Sequence, residues 1–165
     1  MTYLGKMMIL VAGLALAACT NPDRFADGNG AGGAGLSGAA SDPASPAYFQ
    51  QAVGDRVLFA VDQSTLSPEA QGTLDAQAQW LMTNSDYTAV IEGHADEQGT
   101  REYNLALGAR RANSVRDYLV SRGVAESRLR TVSYGKERPI ALCSDDSCYA
   151  KNRRAVTVLA AGSVS

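Results

Sequence analysis

An α/β (α+β) sandwich, with one mixed sheet packed against helices, is the fold class that the sequence predicts. Three observations lead there. Short apolar or alternating runs separate two longer amphipathic stretches, in the order strand, helix, strand, helix, strand, loop, strand. The first helical stretch opens on a cap signal, and the second stops at a glycine. Finally, 45% of the 165 residues are hydrophobic, enough for the core of one ordinary domain with some tail.

Taken in order, Arg56 to Val61 is a short apolar run, expected to be a strand buried on both faces. Ser67 then serves as N-cap and Pro68 takes the first position of a helix whose apolar stripe is Ala70, Leu74, Ala78 and Leu81. Trp80, the sole tryptophan, lies beside Leu81 and is expected in the core rather than in a ligand-stacking role. Tyr87 to Glu92 is a second strand. Arg101 to Arg122 is a second helix, ended by Gly123, with the stripe Leu105, Ala112, Val115 and Leu119. Arg130 to Tyr134 is a third strand, and Arg154 to Ala160, where Val156, Val158 and Ala160 alternate, is a fourth.

The domain so outlined occupies residues 48–165. Ahead of it, residues 1–18 have the form of an export signal. Lys6 supplies the positive charge, and Met7 to Ala18 form an apolar run too short to span a bilayer comfortably. The run ends in Leu16-Ala17-Ala18-Cys19, which resembles the lipobox of bacterial lipoproteins. That resemblance implies a diacylglyceryl group on the Cys19 sulfur, cleavage after Ala18 and acylation of the new amine. Each buried CH₂ contributes about 0.8 kcal/mol, so several acyl chains anchor permanently. Thr20, rather than Asp, follows the lipidated cysteine, which by the same analogy implies the outer membrane. Residues 19–47 are expected to be the lipidated Cys and a flexible tether: they are poor in bulky residues and rich in Gly, Ala, Ser, Asn, Asp and Pro. Such a segment reaches about 30 Å as a coil and about 95 Å extended. Composition alone does not separate a reaching tether from a mere spacer.

The formal net charge of −2 gives no global field to draw the chain to nucleic acid. No run of twenty apolar residues is present, hence no ordinary membrane span is expected. With Cys19 assigned to lipid, Cys143 and Cys148 remain, and in an oxidising compartment a disulfide between them is expected. It would close a loop of about six residues, contributing roughly 2 kcal/mol. A C-x₄-C pair with no following histidine is a loose zinc motif.

The stretch richest in chemistry is Gly93-His94-Ala95-Asp96-Glu97-Gln98-Gly99-Thr100, a polar loop between strand and helix. On the helix that follows, Asn104, Gly108, Arg111 and Val115 share one stripe, while Arg110 points away with Ala106, Ser114 and Asp117. Arg111 therefore borders the core, with a stem long enough to reach the loop. Asp96 can accept from an ammonium, and a guanidinium can take a carboxylate in two parallel hydrogen bonds. Together they suit a free amino-acid head group, with the helix N-terminus as a further place for the carboxylate. Residue types and spacing equally allow Asp96 and Arg111 to pair with each other, and do not choose.

Residues 93–104, Leu107-Gly108-Ala109-Arg110-Arg111-Ala112-Asn113, Val132-Ser133-Tyr134-Gly135-Lys136-Glu137 and Lys151-Asn152-Arg153-Arg154-Ala155-Val156 resemble the OmpA-like domain family, more narrowly the peptidoglycan-associated lipoproteins. The match runs in order from Val57 to Leu159. The resemblance implies non-covalent binding of the meso-diaminopimelate in peptidoglycan stem peptides, with Asp96 and Arg111 as the principal ligand-binding residues. It also implies a contact at Asp62, with Val61 beside it, and Asn104 and Leu107 shaping the pocket. It further implies a TolB-like propeller protein as partner, a role in the Tol system of envelope integrity and cell division, a domain in the periplasm, and no cofactor. Removing Arg111 is expected to leave the fold intact and abolish wall binding. Two departures stand out: Ala60 replaces an acidic residue common in relatives, and the Cys143–Cys148 pair lies where some relatives have no cysteine.

Other readings weigh less. His94 and Asp96 could both face one side, but two ligands make a poor metal site, and a hydrogen-bonded structural histidine is expected instead. Asp96 and Glu97 have no nucleophile or oxyanion site beside them, so no enzyme is expected. Lys151-Asn152-Arg153-Arg154 is expected to be a solvated edge or a set of structural ion pairs. A rival to wall binding is an envelope hub that binds TolB and needs no wall contact.

Overall fold

A computed structural model describes residues 40–161. The expected signal, the lipobox with Cys19 and residues 20–39 of the expected tether lie outside the described residues. The chain forms α1 (Pro46–Tyr48), continued by a wide turn of π-helix over Phe49–Gly54, then β1 (Arg56–Leu58), α2 (Pro68–Thr83), β2 (Tyr87–His94), α3 (Arg101–Ser121), a 3₁₀ turn (Glu126–Arg128), β3 (Leu129–Gly135), α4 (Asp146–Asn152) and β4 (Arg154–Ala161). The strands make one mixed sheet in the order β1-β4-β2-β3. β2 and β3 run parallel, joined through α3, while β4 is antiparallel to both β1 and β2.

The helices begin where their caps dictate. The Ser67 hydroxyl accepts from the Ala70 amide at 3.2 Å with Pro68 in the first turn, and Thr100 accepts from the Tyr103 amide at 3.2 Å. α3 stops at Gly123, whose φ of +102° a side chain would resist. The stripe Ala70, Leu74, Ala78 and Leu81 is buried, together with Ala112, Val115 and Leu119 of α3, against Val57, Ala89, Ile91, Leu129 and Ala155 on one face of the sheet. Trp80 lies in this core, between Phe49 at 4.9 Å and Tyr87 at 5.2 Å, ring centre to ring centre.

Several expectations are corrected. β1 is shorter than the apolar run and is an edge strand, so Leu58 is exposed instead of buried. In α3 the more buried leucine is Leu107, and Leu105 is half-buried. On β4 the side toward the helices carries Ala155, Thr157 and Leu159, whereas Val158 of the alternating set is exposed. Thr157 tolerates this place because its hydroxyl donates to Gln77 Oε1 at 2.8 Å, and Gln77 Nε2 in turn donates to the Gly54 carbonyl at 2.6 Å. The long connection from β3 to β4 contains α4. The end of the expected tether is also packed: Trp80 Nε1 donates to the Pro43 carbonyl at 2.7 Å, and Ser45 caps α1.

α3 lies unusually close to β2. A Cβ on Gly93 would fall onto the Gly108 carbonyl, and one on Gly108 would meet the Ser133 hydroxyl and the Gly93 carbonyl. The obstruction is backbone, which cannot step aside as a flexible side chain could. Gly93→Ala is therefore expected to cost about 3 kcal/mol, read as a lower urea midpoint, whereas Gly72→Ala, whose Cβ would meet nothing within 4 Å, should be neutral or stabilising in the same titration.

Candidate ligand-binding site

The close approach at Gly93 and Gly108 delivers the next turn of α3, and with it Arg111, to the end of β2. Arg111 is 0% exposed. Its Nε donates to the Gln63 carbonyl at 2.8 Å, Nη1 to the His94 carbonyl at 2.8 Å, and Nη2 to the Ala60 carbonyl at 3.1 Å. The guanidinium also lies 5.2 Å from the centre of the Phe59 ring. Burial draws its pKa down to about 10, with Asp96 the foremost opposing influence and Asp62 a further one. It stays charged at neutral pH. One hydrogen on Nη1 and one on Nη2 remain beyond the three carbonyl bonds.

Asp96, just past β2, is also buried. Its Oδ1 accepts from the Gln98 amide at 3.2 Å, which folds the loop back on itself. Its ion pair is with Arg153, whose Nη1 lies 3.1 Å from Oδ2, rather than with Arg111. Arg153 Nε also donates to the Phe59 carbonyl at 3.3 Å. The direct Asp96–Arg111 pair that the residue types allowed is thus not formed. Arg153 was hidden in the sequence by its neighbours: Arg154 is buried as well, its guanidinium donating to the Asn152 and Arg138 carbonyls, and nothing in Lys151-Asn152-Arg153-Arg154 distinguishes the cation that reaches Asp96.

The turn after β1 completes the site. Asp62 has φ +54°, the only left-handed non-glycine among the described residues, and Asp is one of the few residues that tolerate it. Tyr103 of α3 donates to Asp62 Oδ1 at 3.3 Å, and Val61 beside it is exposed. Asn104 is buried and its Nδ2 donates to the Gln98 carbonyl at 2.7 Å; Leu107, one turn on, is buried too. These contacts bring Asp96, Arg111, Asp62 and Asn104 to one corner, where the ends of β1 and β2 meet α3; Val61 adjoins Asp62 in sequence, and Leu107 is buried on the same helix. Arg110 is exposed, as its helical phase requires.

Arg111 does more for the fold than its place in the sequence suggested. Without it three carbonyls lose their donor, so Arg111→Ala is expected to destabilise the domain, contrary to the expectation of an intact fold. His94 is buried too, but its ring nitrogens have no hydrogen-bond partner among the described residues. Nε2 stands 3.5 Å from Glu92 Oε2, and the ring lies 5.5 Å from that of Tyr134. Its structural contribution is the backbone carbonyl it offers Arg111. Cys143 and Cys148 form the expected disulfide, with their Cα atoms 5.7 Å apart. Asp145 lies within 4.8 Å of both sulfurs, but sulfurs bonded to each other are not thiolate ligands.

Fold and corner together define a small α+β domain with a charged corner beside α3. The chain belongs to the OmpA family, whose model matches residues 58–153. Similar proteins include the peptidoglycan-associated lipoprotein of Rhizobium meliloti (strain 1021), 56% identical over 93% of this chain and 86% of that one. That of Pseudomonas aeruginosa is 43% identical over 93% of this chain and 96% of the relative. Among solved structures, the peptidoglycan-associated lipoprotein from Burkholderia pseudomallei is 39% identical with a TM-score of 0.65, over 73% of this chain and 98% of that one. The C-terminal domain of Helicobacter pylori MotB shares the fold at 21% identity and a TM-score of 0.60, over 64% of this chain and 84% of that one. Family and relatives place the chain among non-enzymatic proteins.

Burial, and then the positive charges of Arg154 and Arg138, push the His94 pKa from 6.5 down to about 4. Below pH 6.5 the unfolded chain takes up this proton and the folded chain does not. His94 therefore contributes stability that is fully present above about 6.5 and is lost as the pH falls toward 4. His94→Gln should flatten the dependence of the urea midpoint on pH across this window; an unchanged slope would show that His94 carries none of it.

Proposed function

We propose that the domain holds peptidoglycan non-covalently, by gripping the free amino-acid end of meso-diaminopimelate in a stem peptide. Asp96 accepts from the ammonium. The ligand carboxylate takes the spare hydrogens on Nη1 and Nη2 of Arg111, and the exposed turn at Val61 and Asp62 closes over the ligand. Asn104 and Leu107 shape the floor. Because the Ala60 and Gln63 carbonyls cover Arg111, the turn between them shifts as the carboxylate enters. The observation that carries this reading is the convergence of a fixed, fully buried guanidinium with Asp96 and Asp62 at one corner. A pre-organised cation loses little freedom on binding. The names of the relatives point the same way.

In the same reading, acyl chains on Cys19 fix the other end in the outer membrane, the domain works in the periplasm, and residues 20 to about 42 provide reach. The chain would serve the Tol system of envelope integrity and cell division. A second reading, a hub for a TolB-like propeller protein, has its own support. Leu142 is 88% exposed and Ile140 52%, apolar surface of a kind that protein partners cover.

The test is sedimentation of the full chain, in detergent, with purified peptidoglycan. The wild type should pellet and be released by free diaminopimelate. Asp96→Asn should weaken binding about tenfold or more. Arg111→Lys, which keeps the charge but loses the fork, should weaken it similarly, and Arg111→Ala should in addition cost about 3 kcal/mol of stability. Wild type remaining in the supernatant would sink the wall reading and leave the hub.

A further inference from the structure

We propose that the Cys143–Cys148 bridge is a positioning element of the ligand site: it holds Ser144 and Tyr149 against Glu97, and through Glu97 fixes the loop that presents Asp96. The proposal rests on the reading of Asp96 as the ammonium acceptor. Ser144 and Tyr149 each directly follow one of the bridged cysteines. The Ser144 hydroxyl donates to Glu97 Oε1 at 2.8 Å, and the Tyr149 hydroxyl donates to the same oxygen at 3.0 Å. Both donors meet one atom, so their relative position matters, and the bridge sets it.

The far side of the loop is held independently. Lys136 Nζ donates to the Gly99 carbonyl at 2.7 Å and to the Glu97 carbonyl at 3.3 Å. Asp96 and Glu97 thus sit between Lys136 on one side and the 143–153 segment on the other. α4 makes a second connection, since its last turn leads into Arg153, whose amide donates to the Tyr149 carbonyl at 3.0 Å and whose guanidinium holds Asp96. The start of the segment is pinned as well: Asn152 Oδ1 accepts from the amides of Ile140 and Ala141, at 2.9 and 3.1 Å. Between these points the chain is exposed from Leu142 to Ser147. Without the bridge, that stretch keeps the local bonds of Asp145, whose Oδ1 accepts from the Ser147 and Cys148 amides, and the Ser144 bond to Glu97 itself, and ordering it for Glu97 costs conformational entropy.

The bridge can be opened by a dithiol. A thiolate attacks the exposed Cys143 sulfur, the S–S bond breaks, and the buried Cys148 sulfur leaves as a thiolate and takes a proton. The second thiol of the reagent then displaces Cys143, leaving two protein thiols and an oxidised reagent. The experiment compares three forms of the full chain in detergent: bridged, reduced with dithiothreitol, and Cys143→Ser/Cys148→Ser. Two readouts are taken, hydrogen exchange of the amides from Glu97 to Gly99 and affinity for a soluble diaminopimelate-containing stem peptide. Opening the bridge should speed exchange in the loop and weaken the peptide about tenfold, the loss of one hydrogen bond to a charged group. Glu97→Gln and Tyr149→Phe should each weaken binding in the bridged protein and add little in the double-serine background. Unchanged exchange and affinity, or effects that simply add, would overturn the proposal, because a bridge with a merely stabilising role is not coupled to Glu97. If no form binds the peptide, the diaminopimelate reading fails on its own. The exchange data then judge the clamp: acceleration supports it, and no change overturns it.

Discussion

A single buried cation organises this domain. Arg111 is stripped of water and compensated by backbone carbonyls from two separate places, the turn after β1 and the end of β2. Burying such a charge is costly unless its donors are satisfied. The surrounding chain therefore takes the shape that satisfies them. After Phe59, whose amide still donates to the Arg153 carbonyl, the chain leaves the sheet, and the Ala60 and Gln63 carbonyls turn toward the guanidinium. Asp62, at the apex of that turn, is forced into the left-handed region. The unusual backbone and the early end of β1 share one cause.

The cation reaches this position only because α3 can sit almost on β2. Gly93 and Gly108 remove the two side chains that would keep helix and strand apart, and Ala112 presents the next smallest group. With larger residues the helix would stand off and the guanidinium would fall short of the His94 carbonyl. The charged corner is in this sense a by-product of close packing: glycine sets the distance, the helical turn from Gly108 to Arg111 sets the direction, and the carbonyls fix the head group.

Most of the helical layer was legible in the sequence, because its signals are local. Ser67-Pro68 and Gly123 mark their helix ends through their own backbone preferences, and the stripe of α2 follows from a period of 3.6. The sheet was harder to read. The inner face of β4 carries a threonine that only a distant glutamine, Gln77, makes tolerable, so the apolar alternation of Val156 and Val158 marks the outer face. β1 looked buried because its run is apolar, but sheet order made it an edge. At the site, the chemistry of Asp96 and the facing of Arg111 could be argued from spacing. The partner of Asp96 could not, since Arg153 lies 57 residues away and is identified only by the fold.

That partner bears on how the proposed grip works. Asp96 already accepts from Arg153 on Oδ2 and from the Gln98 amide on Oδ1. A carboxylate oxygen has room for a second donor, so an ammonium joins an occupied group instead of rescuing an empty one. Part of the attraction is consequently spent before the ligand arrives, while the carboxylate stays aimed. A moderate individual contact follows. In the proposed setting, a domain confined beside a polymer that repeats its ligand, a moderate contact is sufficient, because effective concentration multiplies it.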